Sequence, residues 1–210
     1  MVCLASSYKC EGRCYAGKEV LDNRIGGWLR PVSNSPTGEI SLEQCRYADG
    51  TLPKLLDIIE IPMLRAAARH HQSENHLIDA GAPWSKVGEF NPRALSQLQD
   101  RPATLWLNTD HTQKGSNDCV SKAEAMAFPN SLLFIAPDNM SIQVVCRPWK
   151  NKKTCRALFQ YNGARYNLSL TDPAVIFAFS HKDDGTYPLT RASICVSLTE
   201  PYELDGRCHK

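Results

Sequence analysis

The chain has 210 residues, of which 42% are hydrophobic and 22% charged, with 24 Lys and Arg against 22 Asp and Glu for a net charge of +2. A chain so composed can bury a core, which excludes wholesale disorder, and it has neither the glycine content of collagen nor the heptads of a coiled coil. The near-neutral balance identifies no class of partner, so any electrostatic argument has to be local.

Taken in chain order, Val2 to Ala5, Tyr15 to Leu21 and Trp28 to Val32 read as strands, with Asn23 and Gly26-Gly27 separating the last two. Ser41 followed three residues later by Gln44 is a capping box that opens a helical turn. Leu55 to Ile61 is a further strand closed by Pro62, and Asn91-Pro92 starts a short helix that runs to Leu98. Asn108 to Asp118 carries no apolar side chain, the signature of a surface loop or linker, and Ser121 with Glu124 caps another short helix just beyond it. This predicts a β-rich unit over 1–110 with a helical insertion, a connection over 111–127 and a second β-rich unit over 128–210.

The second half has the clearer pattern. Leu132 to Ala136 is a short apolar run ended by the turn residues Pro137-Asp138-Asn139. Ser141 to Arg147 alternates, with Ile142, Val144 and Cys146 on one side. Thr154 to Tyr161 and Ala164 to Thr171 flank Asn162-Gly163, the dipeptide that best tolerates the two positive φ angles of a type I′ turn. A two-residue loop there pairs Tyr161 with Ala164, Phe159 with Tyr166 and Ala157 with Leu168 on an apolar face. The opposite face then carries Gln160 with Arg165, Leu158 with Asn167 and Arg156 with Ser169. Asp172-Pro173 starts a short helix over Ala174 to Phe179, and Ser193 to Leu198 is a last strand. Strands, one short helix and a closing strand are what a small five-stranded barrel of the OB type supplies. The fold class expected is therefore mainly β, two OB-fold-like small barrels with short helices.

The residues that bear on this also carry a resemblance. Cys3-Leu4-Ala5-Ser6 followed by Gly12-Arg13-Cys14-Tyr15-Ala16-Gly17-Lys18-Glu19 resembles the opening of a bacterial family, the dual OB-containing domain. Trp28-Leu29-Arg30-Pro31-Val32-Ser33, Leu56-Asp57-Ile58-Ile59-Glu60-Ile61-Pro62, and Gln72 with Glu74-Asn75 are similar to its other landmarks. Leu170-Thr171-Asp172-Pro173 and Val196-Ser197-Leu198-Thr199-Glu200-Pro201 match further on. The resemblance implies two OB-like barrels and a role in recognising nucleic acid or nucleotides, within bacterial antiviral or conflict systems, and it supplies no catalytic residues. At Gly206-Arg207-Cys208-His209-Lys210 the chain departs from the family, which is expected to continue into a further strand.

Charge is segregated locally. Between Ser141 and Thr171 there is no acidic residue, while Arg147, Lys150, Lys152, Lys153, Arg156 and Arg165 are all cationic, with Trp149 among them. A cationic strand face beside an aromatic ring is how an OB fold follows a phosphate backbone while stacking a base. The bland alternative is a solvated basic loop that keeps an edge strand from pairing.

A second constellation is the N-terminal segment Ser6 to Cys14. Lys9, Arg13, Cys14, Lys18, Trp28 and Arg30 form a candidate ligand pocket there, with backbone N–H groups near Gly12 able to hold an anion. Trp28 and Arg30 share one face of a strand, either as a stacking and phosphate pair or as a tryptophan capping the barrel end beneath an arginine. The segment is not a P-loop, because the glycine spacing and the Lys-Ser/Thr ending are missing. Cys10 and Cys14 could give two thiolates to zinc and Cys208 with His209 complete a tetrahedral site if the chain ends meet, but unrelated thiols are the simpler reading, and no cofactor is expected.

A third group, His70, His71, His76, Glu74 and Asp79 with Asp57 and Glu60 in the strand before them, invites a hydrolase reading with Cys3 or Cys14 as nucleophile. It contains no His-Glu-x-x-His pattern, and Gln72, Glu74 and Asn75 read as groups that satisfy the backbone of a long loop.

The longest apolar runs, such as Ala174 to Phe179, fall far short of the ~20 residues of a membrane helix. The N-terminus lacks a charged region followed by an apolar one, so the 9 cysteines are expected to be free thiols of a cytoplasmic protein with no membrane partner. The expected function is non-catalytic binding of nucleic acid, single-stranded in preference to duplex, as an accessory or sensor component of a bacterial defence system. The alternatives are a nucleotide-sensing or thiol-dependent enzyme with its pocket at the N-terminal loop, and a docking module of a larger defence effector protein.

Overall fold

The computed structural model describes residues 1–21, 24–147, 152–202 and 206–210, and of Arg147 and Lys152 the backbone alone. The chain forms two compact units, Met1–Gln99 and Asp100–Lys210.

In the first unit β1 (Val2–Lys9), β2 (Gly12–Leu21) and β3 (Arg24–Val32) make an antiparallel meander. The β1–β2 approach is close enough at Gly17 that a Cβ there would lie 1.9 Å from the Val2 carbonyl oxygen. After α1 (Leu42–Cys45), whose Ser41–Gln44 capping box is formed, β4 (Asp57–Glu60) returns beside β1. β5 (Met63–Ala66), β6 (Asn75–Ile78) and β7 (Ser85–Glu89) complete a sheet of order β5-β6-β3-β2-β1-β4-β7. Its pairs are antiparallel except β3 with β6, where Arg30 stands opposite Asn75. Cys3, Tyr15, Ile40, Cys45, Tyr47, Ile59, Ile78 and Trp84 form the core, with the Tyr15 and Trp84 rings edge to face at 5.5 Å.

The second unit contains β8 (Cys119–Ser121), α2 (Lys122–Ala125), β9 (Leu132–Ile135), β10 (Asn139–Arg147), β11 (Lys152–Tyr161), β12 (Ala164–Ser169), α3 (Pro173–Ser180), β13 (Gly185–Leu189), β14 (Ile194–Ser197) and β15 (Arg207–His209). β10, β11 and β12 form a second meander, and β13 returns to pair with β10, giving the order β12-β11-β10-β13. β9 pairs with β14 and β8 with β15. The β11–β12 hairpin has the register that Asn162-Gly163 predicts: Phe159 opposite Tyr166, Ala157 opposite Leu168 and Arg156 opposite Ser169. Asn162 and Gly163 have φ of 48° and 78°. The apolar face of this sheet, with Ile142, Val144, Phe159, Tyr166 and Leu168, makes the core together with Leu133, Ile135 and Val196.

The two units follow the same route. Each has a three-strand meander, a short helix and a fourth strand that lies beside the first, so that the spatial order is 4-1-2-3 in both (β4-β1-β2-β3 and β13-β10-β11-β12). That is the Greek key from which OB barrels are built. The protein is mainly β, with two OB-like small barrels and few short helices.

The unit boundary lies at Gln99/Asp100, ahead of the polar stretch expected as a connection over 111–127. That stretch belongs to the second unit: Asp110 bridges to Cys119, Ser116 bridges to Asn167, and Thr112 donates its N–H to the Asp118 carboxylate at 2.7 Å. Where a linker would leave its polar groups to water, this loop satisfies them against β8 and β12. β5 to β8, β13 and β15 are short strands that the sequence pattern does not announce. β15 occupies the C-terminal segment 206–210, where the sequence reading expected the chain to depart from similar proteins.

Candidate nucleic-acid interface

The outward face of the β10–β13 sheet follows from the pairing register. Arg165, Gln160 and Asn139 form one cross-strand row; Asn167, Leu158, Ser141 and Pro188 the next; Ser169, Arg156, Gln143 and Thr186 a third. Beyond them lie the positions of Thr154 with Val145 and of Lys152 with Arg147. The rows bound a shallow groove of about 320 Å³ lined by Asn139, Ser141, Leu158, Gln160, Arg165, Asn167 and Thr186. Most of these side chains are uncharged and polar, so the face can exchange water for a polar ligand at low desolvation cost.

The cations of this region have different surroundings. Arg165 is exposed, and its guanidinium has no partner among the described residues. Arg156 is clasped: its Nε donates to Asn167 Oδ1 at 2.5 Å, Nη2 to the Asn167 carbonyl at 2.6 Å, Nη1 to Ser169 Oγ at 3.2 Å, and Nη2 lies 3.5 Å from Asp118 Oδ2. Arg156 therefore ties β11 to β12 and to the loop before β8. Lys153 is out of phase with Lys152 and Arg156, opposite Cys146 rather than on the outward rows, and its Nζ donates to the Lys182 carbonyl beyond α3. Arg147 and Lys152 are paired at the turn end of the β10–β11 hairpin, while Trp149 and Lys150 lie outside the described residues.

The N-terminal candidates do not share one pocket. Lys9, Arg13 and Cys14 sit around the β1–β2 turn, opposite Gly12, Tyr8 and Ser7, with the Arg13 guanidinium 4.2 Å above the Tyr8 ring. Lys18 and Trp28 are cross-strand partners, the ammonium 5.4 Å from the indole. At ~3.3 Å per residue along a strand, Lys18 lies about 16 Å from Arg13.

Arg30 belongs to a buried network that the sequence does not announce. Its Nη1 lies 3.1 Å from Glu74 Oε1 and donates to Asn75 Oδ1 at 3.3 Å, while its backbone N–H donates to the Glu74 carbonyl at 2.8 Å. Asn75 Nδ2 in turn donates to Gln72 Oε1 at 3.2 Å. Gln72, Glu74 and Asn75 thus hold one another and Arg30, where the sequence assigned them to a loop backbone. His71 is buried next to them in the chain, after His70 at φ 54°. The guanidinium fixes the parallel β3–β6 seam.

Asp57, the other buried carboxylate among the described residues of this unit, accepts from Lys86 Nζ at 2.8 Å, the Lys54 N–H at 2.9 Å and the Tyr47 hydroxyl at 3.1 Å. Burial by itself would raise its pKa, but these donors outweigh burial and hold the carboxyl below the usual range. Cys3 and Cys45 are buried, and burial raises the Cys45 thiol. Cys10 and Cys14 belong to the first unit and Cys208 and His209 to the second. Among the described residues no three of His, Cys, Asp and Glu converge as a metal site.

Two OB-like Greek-key units in tandem define a class of β proteins built around open strand faces. The family described as the dual OB-containing domain matches residues 1–210, and the chain belongs to it. None of the curated proteins and none of the solved structures matches the chain. No helix among the described residues is long and apolar enough to cross a membrane.

Proposed function

We propose that this protein binds single-stranded nucleic acid, without catalysis, along the outward face of the β10–β13 sheet. The observation that carries the reading is the exposed Arg165 guanidinium at the head of an open polar face, in a stretch from Ser141 to Thr171 that has six cations and no acid. The strand backbone crosses the rows, with phosphates near Arg165 at one end and near the Lys152–Arg147 end of the hairpin at the other. Asn139, Gln160, Ser141 and Thr186 meet sugars and base edges between them. Arg156 acts from beneath as a brace for the face rather than as a phosphate ligand. Its setting, an accessory or sensor component of a bacterial defence system, rests on the family resemblance.

The test is fluorescence anisotropy with labelled single-stranded DNA, single-stranded RNA and duplex DNA at two salt concentrations. Binding should fall with salt by a log–log slope of roughly −0.7 per phosphate contacted. Arg165→Glu should weaken it about tenfold or more while the fold persists. Absence of binding at low salt, or indifference to Arg165→Glu, overturns the reading.

A further inference from the structure

Leu158 is out of character with the face it lies on. In the three rows nearest the β11–β12 turn only Leu158 and, on the edge strand β13, Pro188 are apolar. Leu158 is half-buried, stands outside the second unit's core and lines the groove between Asn167 and Ser141. A leucine there adds nothing to the core, and its open side gains by being covered with a flat apolar surface.

Two polar groups flank that leucine one row away. Arg165 and Asn139 lie on either side of Gln160, two strand spacings or about 10 Å apart, and Leu158 is about 6.6 Å further along β11. Asn139 is exposed, and its Nδ2 donates to Gln160 Oε1 at 2.9 Å. That bond fixes the amide and leaves its Oδ1 and second N–H for a ligand. No acid lines the groove. Asp138, one residue before Asn139, alternates to the other side, where its charge acts on Tyr161. Asp118 is taken up by Thr112 and Arg156.

We infer that the groove seats one unpaired nucleotide, with the base lying on Leu158, its Watson–Crick edge on the Asn139 amide and its phosphate on Arg165. The Watson–Crick edge of every base sets a donor beside an acceptor: N6–H and N1 in adenine, N4–H and N3 in cytosine, N1–H and O6 in guanine, N3–H and O4 in thymine or uracil. An amide matches each of these while the base is unpaired, and none once a complementary strand engages the edge. A four-stranded face is also broader than the ~12 Å major groove through which duplex bases are read. This rests on the proposed function and deepens it, because it makes the preference for single strands the work of Asn139 and Leu158.

The experiment measures anisotropy of four fluorescein-labelled 12-nucleotide probes: oligothymidylate, the same strand with N3-methylthymine throughout, an abasic strand, and a duplex. Wild type is compared with Asn139→Ala, Leu158→Ala and Arg165→Glu, each checked for folding by its thermal transition. Asn139 is exposed, so its truncation opens no cavity and the test stands even if Leu158→Ala folds poorly. Asn139→Ala and Leu158→Ala should each weaken oligothymidylate about tenfold and leave the abasic strand unchanged, while Arg165→Glu weakens both. N3-methylation should cost wild type a similar factor and cost Asn139→Ala nothing further. Oligothymidylate, methylated and abasic strands bound equally by wild type, with Arg165→Glu still weakening all three, overturn the nucleotide seat and leave the sheet-face reading standing. If wild type binds none of the probes at low salt, both fall.

Discussion

Arg30 and Glu74 meet at 3.1 Å across the parallel seam of the first unit, with side chains only 3% and 2% exposed. A pair so enclosed is held by its hydrogen-bonded neighbours, here Asn75 and Gln72, because desolvation of the two charges offsets much of their attraction. The loss of one member is severe. Glu74→Gln leaves the guanidinium with a neutral partner and should lower unfolding free energy by about 3 kcal/mol. The double variant Arg30→Met with Glu74→Leu should recover most of that loss, as measured by denaturant titration. Equal destabilisation by the single and double variants would mean that the residues matter by shape and not as a pair.

The legibility of this protein in its sequence differs between the units for a physical reason. The second unit's meander is half-exposed, so its strands alternate and Asn162-Gly163 fixes the register; every expected pair of that hairpin is present. Ser41 with Gln44, and Ser121 with Glu124, announce their capping boxes because those contacts are local. β5, β6 and β7 have four or five residues each, and β5 to β6 is bridged by a turn with His70 at positive φ, for which histidine is only a weak signal beside Gly or Asn. The Greek key repeats in both units without any repeat in sequence, since each barrel asks only for alternation and turns. The candidate face was legible as a cluster of cations but not in its wiring. Arg156 and Arg165 are equivalent in the sequence, and only the placement of Asp118 and Asn167 separates a brace from an exposed contact.

That separation is testable. Arg156→Ala removes four hydrogen bonds or ion contacts that hold β12 and the 112–118 loop. It should cost about 2 kcal/mol of stability and speed amide exchange at Thr112 and Asn167. Arg165→Ala, on an exposed side chain without such contacts, should change stability by less than about 0.5 kcal/mol. Equal stability of the two variants would show that the clasp around Arg156 is not formed in solution.

Asp57 sets an acid limit for the first unit. Its folded carboxyl titrates below the unfolded value of 3.8, since Lys86, the Lys54 N–H and Tyr47 overcome the effect of burial. The folded state then binds fewer protons than the unfolded chain around that pH. The resulting stability is present in full above about pH 4 and is lost as pH falls through the depressed value. Asp57→Asn should be less stable at pH 7 by about 2 kcal/mol and should lack this part of the acid decline. Tyr47→Phe should move the decline to higher pH by removing one donor. Thermal melts between pH 2.5 and 7 decide it: parallel curves for wild type and Asp57→Asn would remove the carboxylate from the account.

Lys210 also makes stability rise with pH, but because the fold penalises its charged form rather than favouring it. Its Nζ donates to the Leu107 carbonyl at 2.5 Å and faces the Tyr166 ring at 5.6 Å, and the residue is 7% exposed. Burial lowers its pKa from 10.5 to about 8, with Cys119, Asp118 and Glu124 opposing the shift. The ammonium is thus a burden on the folded state at neutral pH. Between about pH 8 and 10.5 the unfolded chain holds the proton that the folded chain has released, so stability from this group rises with pH. Over that window the gain approaches about 3 kcal/mol at 1.36 kcal/mol per pKa unit. Lys210→Met keeps a linear apolar stem and removes the charge, so it should be more stable than wild type at pH 7, with the difference closing toward pH 10. The raised phenol pKa of Tyr161, which burial pushes up, acts with the reverse sign but equally in both proteins, and cancels in the comparison. A difference that stays constant from pH 7 to 10 would show that Lys210 keeps its charge in the folded state and is held by the Leu107 carbonyl and the Tyr166 ring.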